Sequence, residues 1–140
     1  MRKLMLTGGL LMLAGCAGIG MPDPDPAQAW IDLHSKQQDT ALQALEVDDK
    51  ASSDKRYFEV QPGSHELTVR YQFAVQPGDI GPDAEPLWRD CQLNVKFNDF
   101  NAGKRYQLRA GNIGFRPWAK LYDHQQKVIG QGTPAGCQRT

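Results

Sequence analysis

Hydrophobic residues fall along this chain in two distinct patterns. The first is continuous: residues 4–13 are apolar apart from Thr7, Gly8 and Gly9, and they follow a basic start at Arg2 and Lys3. A helix needs about 20 apolar residues to cross a bilayer, so a run this short has the length of a signal-peptide core and not of a membrane span. The second pattern is alternation. Leu67, Val69, Tyr71 and Phe73 recur at period two, and so do Cys91, Leu93, Val95 and Phe97, with Gln92, Asn94, Lys96 and Asn98 between them. Successive side chains of a strand point to opposite faces, so this spacing predicts half-buried strands with one apolar and one solvated face.

The remaining elements follow from shorter runs and the turn signals between them. Residues 30–33 and 42–47 predict the first two strands, separated by a polar loop or short helical turn at 35–40. Val47-Asp48-Asp49-Lys50, followed by Ala51-Ser52-Ser53-Asp54, predicts a turn, because short polar side chains bond their own backbone. Residues 56–60 alternate, Gln61-Pro62-Gly63-Ser64 turns, and the run of Leu67 to Phe73 returns, which together predict a hairpin. Residues 76–86 hold three prolines and two glycines and predict a loop. Asn101-Ala102-Gly103-Lys104 turns the chain toward Tyr106, Leu108 and Ala110. After a glycine-containing loop at 111–117, residues 118–122 and 127–129 predict a last pair, with an irregular tail beyond. About eight short strands separated by turns indicate an all-β fold, an antiparallel β-sandwich or barrel.

Length allows one such domain. Of 140 residues, a leader of 15 leaves 125, enough for one core of ordinary size. The remainder carries 14 basic and 16 acidic side chains, a balance that gives no electrostatic reason to expect nucleic acid. Between leader and domain, residues 17–29 contain Gly18, Gly20, Pro22, Pro24 and Pro26, the prolines interleaved with Asp23 and Asp25. Repeated proline prevents helix, so this is expected to be an extended spacer, able to reach on the order of 40 Å at polyproline geometry. The expected organisation is residues 1–15 as leader, 16–29 as anchor and tether, and 30–140 as the β-domain.

Leu13-Ala14-Gly15-Cys16 resembles the lipobox of bacterial lipoproteins. The resemblance implies cleavage before Cys16, diacylglycerol on its thiol and N-acylation, and so a partner in membrane lipid. Two or more acyl chains, at roughly 0.8 kcal/mol per buried CH₂, hold a protein almost permanently. Ala17 replaces the aspartate that commonly signals inner-membrane retention in that family, which implies an outer-membrane anchor facing the periplasm. Within the domain, Val47-Asp48-Asp49, Tyr57-Phe58-Glu59-Val60 and the run from Pro62 to Val69 resemble the small β-modules of envelope proteins related to PEGA domains, with Asp49 where that family usually has glycine. That resemblance implies an immunoglobulin- or transthyretin-like fold without enzymatic activity.

Candidate chemistry is sparse. With Cys16 taken by lipid, Cys91 and Cys137 remain as an even pair in an exported domain, and a disulfide is expected. His34, His65 and His124 show no metal-ligand spacing, and no cofactor is expected. Ser64 precedes His65, but Pro-Gly-Ser-His is first a turn, and Asp48 and Asp49 lack the ligand series of a calcium loop. Exposed indoles often anchor partners or sugars. Core or sheet packing is the first reading of Trp30, Trp88 and Trp118; Trp88 and Trp118, beside loops, are the pair expected to be exposed, and Arg109, Arg116 and Lys120 near them could complement an anionic partner, though scattered solvated charge is the usual explanation. Two functions are therefore expected: a non-catalytic envelope interaction module with a protein partner, or binding of a glycan or small ligand through Trp88, Trp118 and Arg116.

Overall fold

The computed structural model describes residues 20–37, 39–75 and 87–139. The leader with Cys16, and the loop expected at 76–86, lie outside the described residues. The fold is all-β: β1 (Ala29–Ser35), β2 (Ala41–Val47), β3 (Lys50–Ala51), β4 (Tyr57–Val60), β5 (Gly63–Val75), β6 (Leu87–Phe100), β7 (Arg105–Ile113), β8 (Arg116–Tyr122) and β9 (Val128–Arg139). Among the described residues nine strands, not about eight, join in one sheet of order β3-β2-β5-β6-β9-β8-β7-β1-β4. The sheet is mixed and not wholly antiparallel, because β1 runs parallel to β7, with Trp30 opposite Arg105 and Ser35 opposite Ala110.

The alternation read from the sequence is what lines the core. Leu67, Val69, Tyr71, Phe73 and Val75 of β5 and Cys91, Leu93 and Val95 of β6 are all at most 1 % exposed. Facing them from the other half of the sheet are Ile31, Phe58, Leu108, Ala110, Ala119 and Leu121. Removing each larger side chain from water contributes roughly 2 kcal/mol. An edge-to-face set of rings, Phe97 on Phe100 at 5.0 Å and Phe100 on Tyr106 at 5.1 Å, closes the core where β6 turns into β7. The sheet curls around this interior. Its ends approach closely enough for the Ala44 amide of β2 to donate to the Lys55 carbonyl ahead of β4, at 2.8 Å.

Three expectations about strands and their pairing are corrected. Residues 56–60 and 67–73 do not form a hairpin: β4 pairs with β1, whereas β5 pairs with β2 and β6. Gln61 and Pro62 therefore make a corner between the two halves of the sheet. The tail beyond residue 129 is not irregular either. It continues as β9, whose first part pairs with β8 and whose later part pairs with β6. Its glycines, which suggested a loop, are needed for close approach: a Cβ on Gly132 would stand 2.9 Å from the Ala119 Cβ and 3.2 Å from the Ala119 carbonyl oxygen. Likewise the glycine-containing loop expected at 111–117 is a tight hairpin, with Ile113 of β7 opposite Arg116 of β8.

The last residues of the expected spacer lie against the domain. Gln28 N donates to Asp25 O, Gly103 N to Gln28 O and Trp30 N to Lys104 O. The Asp25 amide also donates to Glu59 Oε2 at 3.2 Å. Gly103, at φ 72°, supplies the left-handed turn there, with Pro26 O 3.5 Å from where its Cβ would be. The chain thus enters β1 beside the β6–β7 turn, at one end of the curled sheet.

Candidate functional site

The three tryptophans occupy three settings. Trp30 stands outside the main core yet is 2 % exposed. Its ring stacks on Tyr57 at 4.0 Å, the Arg105 guanidinium lies 5.7 Å above it, and its Nε1 donates to Asp32 Oδ1 at 2.8 Å. Arg105 in turn donates to both oxygens of Asp32, at 2.7 and 3.1 Å. Burial alone would push the Asp32 carboxyl up, but the hydrogen bonds from Arg105 and Trp30 outweigh it and hold the group below the usual carboxylate range. This stack is internally neutral and packed.

Trp88 and Trp118, expected together, are in separate clefts. Trp88 is 48 % exposed on β6, beside Asp39, Thr40, Gln72 and Arg89. Trp118 is half-buried on β8, in a shallow cleft of about 270 Å³ on the outer face of β1, β7 and β8. Its six-membered ring lies over Gly111, opposite it in register, where a Cβ would meet ring carbons at 2.6 and 2.8 Å. The other members of this cleft are His34, Lys36, Gln107, Arg109 and Tyr122. The ammonium groups of Lys36 and Lys120 stand 5.9 and 5.7 Å from the Trp118 ring centroid, and the Arg109 guanidinium lies 4.0 Å from that of Tyr122. Cations at these distances are attracted by the ring quadrupole. Arg109 and Lys120 were legible as candidates near Trp118. Lys36 and Tyr122 were not, because only the pairing of β1 with β7 and β7 with β8 brings them to one face.

Arg116 stands elsewhere, at the β7–β8 tip. There Ile113 is 77 % exposed and Phe115 38 % exposed. Arg89, next to Trp88, donates to Phe115 O at 2.6 Å and lies 5.9 Å over the Phe115 ring. This apolar and basic cluster is at the end opposite the tether: β1 and β7 are parallel, and Ile113 is eight residues along β7 from the Arg105 that faces Trp30. At about 3.3 Å per residue the two ends are on the order of 26 Å apart.

The other candidates have local structural partners. His65 Nδ1 meets Asp48 Oδ2 at 2.6 Å and its Nε2 meets Gln61 O at 2.6 Å, so the ring ties two turns together. Ser64 instead donates to Asn98 Oδ1. Asp48 and Asp49 have φ of 50° and 65° and form the β2–β3 turn. The bond from His65, then that from the Glu66 amide, holds Asp48 below its usual range. Cys91 and Cys137 are opposite each other on β6 and β9 and are joined by a disulfide. A cleft of about 530 Å³ lies beside Cys137, and its charged groups are Arg70 and Asp90. Those two satisfy each other through Arg70 Nε, at 2.9 and 3.0 Å, and Nη2. Among the described residues no three or more His, Cys, Asp or Glu side chains are gathered as a metal ion would require.

No protein-family model, curated protein or solved structure matches this chain.

Proposed function

We propose that the protein is a non-catalytic lipoprotein of the bacterial envelope, held by acylated Cys16, whose domain serves as an interaction module for another envelope protein. The observation that carries this reading is the exposed β7–β8 tip, where Ile113 and Phe115 stand beside Arg116 and Arg89, at the end of the domain away from the tether. Aromatic and apolar groups beside arginine are the side chains from which protein interfaces draw most of their energy. A lipid at residue 16 and an interface at the far end would let the domain stand between a membrane and its partner. The outer membrane is the expected anchor, from Ala17 after the lipidated cysteine. We also read the curled sheet as a sandwich-like scaffold of the immunoglobulin or transthyretin kind, with β9 passing from one leaf to the other. The shared core between β5–β6 and β7–β8 supports that reading.

The test is site-specific photocrosslinking of the full lipidated chain in intact cells. A crosslinker at Phe115 should capture one defined envelope protein, and the same group at Lys96, on the outer face of β6, should not. Equal or absent capture from both positions would remove the hairpin tip as an interface.

A second reading, binding of an envelope glycan or small ligand, is favoured by a different observation: the indole of Trp118 beneath two lysines in the outer-face cleft.

A further inference from the structure

We propose that the outer face of β1, β7 and β8 binds an acidic saccharide, a sugar ring carrying a carboxylate or a phosphate, with Arg109 holding the acid and Trp118 stacking on the ring. The proposal rests on the glycan reading above and names the class of glycan. It starts from a contrast among the arginines. Arg56, Arg70 and Arg105 each pair with an aspartate, Asp54, Asp90 and Asp32 respectively. Arg109 is held differently: its Nε donates to Gln107 Oε1 at 2.5 Å and its Nη2 to Gln126 Oε1, with its plane over Tyr122. Two neutral amides and a ring fix the guanidinium without cancelling its charge.

The surroundings leave that charge uncompensated. Among the described residues no carboxylate lies within ion-pair distance of Lys36, Arg109 or Lys120. The nearest acids along the same strands are committed elsewhere. Asp32 on β1 is taken by Arg105, and Asp123 after β8 accepts the amides of Gln125 and Lys127. Three cations therefore surround Trp118 and Tyr122 on one face. A preorganised guanidinium binds a carboxylate or phosphate through two parallel hydrogen bonds, each stronger than a neutral bond. The indole adds selectivity for a sugar. Seated over Gly111, it presents its remaining surface under two flexible lysine side chains, which an incoming ring can displace toward its own acid. The C–H face of a sugar then packs on the indole while the lysines stay bonded to the anion. The Arg70–Asp90 cleft, though larger, offers no comparable charge.

Calorimetric titration of the full lipidated chain in neutral detergent tests this with three probes: an oligogalacturonate, a mannose 6-phosphate oligosaccharide and a neutral galacto-oligosaccharide of matching length. The expected result is that at least one acidic probe binds about tenfold or more tighter than the neutral one, with affinity falling as salt rises. Whichever acid binds more tightly identifies the source of the negative charge. Arg109→Gln and Lys120→Gln should each weaken it severalfold, and Lys96→Gln on the other half of the sheet should not. Trp118→Ala should abolish it; because that side chain also covers Gly111, the Arg109→Gln result decides if the tryptophan variant unfolds. Equal binding of neutral and acidic probes would overturn the acidic assignment while leaving the glycan reading intact. Acidic binding indifferent to Arg109→Gln would overturn the site. Binding of none of the three would overturn both.

Discussion

Tyr71 on β5 donates its hydroxyl to Asn112 Oδ1 on β7 at 2.9 Å, a bond between residues 41 apart that spans the interior of the curled sheet. The same hydroxyl lies 3.3 Å from Gln37 Oε1, whose own Nε2 donates to the Asn112 carbonyl. One phenol thus ties the β5 side of the core to the β1–β2 connection and the β7–β8 hairpin. Burial pushes its pKa up, so it remains a neutral donor across the working pH range. Tyr71→Phe keeps the ring but strands Asn112 Oδ1, and should cost about 1–2 kcal/mol. Urea denaturation measures this. An unchanged midpoint would show that the bond contributes nothing to closing the curl.

Gly132 is the second point where the curl depends on one residue. A methyl there meets the Cβ and carbonyl of Ala119 and, at 3.3 Å, Val95 Cγ2, all on strands that flank β9. Gly132→Ala should lower stability by about 1–3 kcal/mol, as overpacked cores do. Gly136, where a Cβ would have nothing within 4 Å, is a poorer control because its φ is 139°. Gln131→Ala, exposed and one residue away, serves better and should be close to neutral. Thermal melts of the two variants make the comparison.

What alternation could reveal in the sequence was the face of each strand, and what it could not reveal was the partner. Leu67, Val69, Tyr71 and Phe73 point inward as their period requires, yet the run at 56–60 that precedes them crosses to β1 because pairing is fixed by the whole core, not by the turn between neighbours. Gly130, Gly132 and Gly136 hid β9, since a residue with no side chain carries no period. The same limit applies to the cleft. Trp118, Arg109 and Lys120 were recognisable as residue types, but Lys36 joins them only through the parallel β1–β7 pair, which no local signal encodes. Trp88 and Trp118, similar on paper, part because their strands lie on opposite sides of β9.

The β2–β3 turn separates the roles of two adjacent aspartates. Both adopt a left-handed backbone, but only Asp48 uses its side chain, accepting the Glu66 amide at 2.8 Å as well as His65. Asp49→Gly should therefore be neutral or stabilising by up to about 0.5 kcal/mol, because glycine takes positive φ without steric cost. Asp48→Gly should destabilise by about 1 kcal/mol through the lost bonds. Chemical denaturation of the two variants would refute the division of roles if their order were reversed.

Acid should destabilise the domain through a defined set of carboxylates. Asp54 is held at about 2, first by the side chain of Arg56 and then by its backbone amide. Asp90 is lowered by Arg70 and Asp48 by His65, while in Asp32 the bonds from Arg105 and Trp30 overcome an opposing burial effect. In each case the unfolded chain, with aspartate near 3.9, binds protons more readily than the folded one. Their contribution is therefore fully present above about pH 5 and is lost as pH falls through about 4 toward 2. Denaturation midpoints should be flat from neutral pH to about 5 and fall below it, and Arg70→Gln should make that fall shallower. A midpoint that held steady to pH 3 would contradict the assignment.

The Cys91–Cys137 bond closes a loop of 46 residues between strands that already face each other in register. In the chain-entropy account such a loop is worth about 4 kcal/mol through its effect on the unfolded state. The folded state gives a reason to expect a local effect as well. Beyond residue 131, β9 has Gly132, Pro134 and Gly136 and few side chains in the core, so the half of it that pairs with β6 relies on backbone bonds and on Cys137. Cys91→Ala with Cys137→Ala should therefore do two things: lower the free energy of unfolding by an amount approaching about 4 kcal/mol, and speed amide exchange at residues 133–138 more than at 128–131, which remain paired with β8. Uniform acceleration along β9 would mean that the disulfide acts on the unfolded chain alone. Faster exchange confined to the later half would show that it also holds the strand across which the two halves of the sheet are joined.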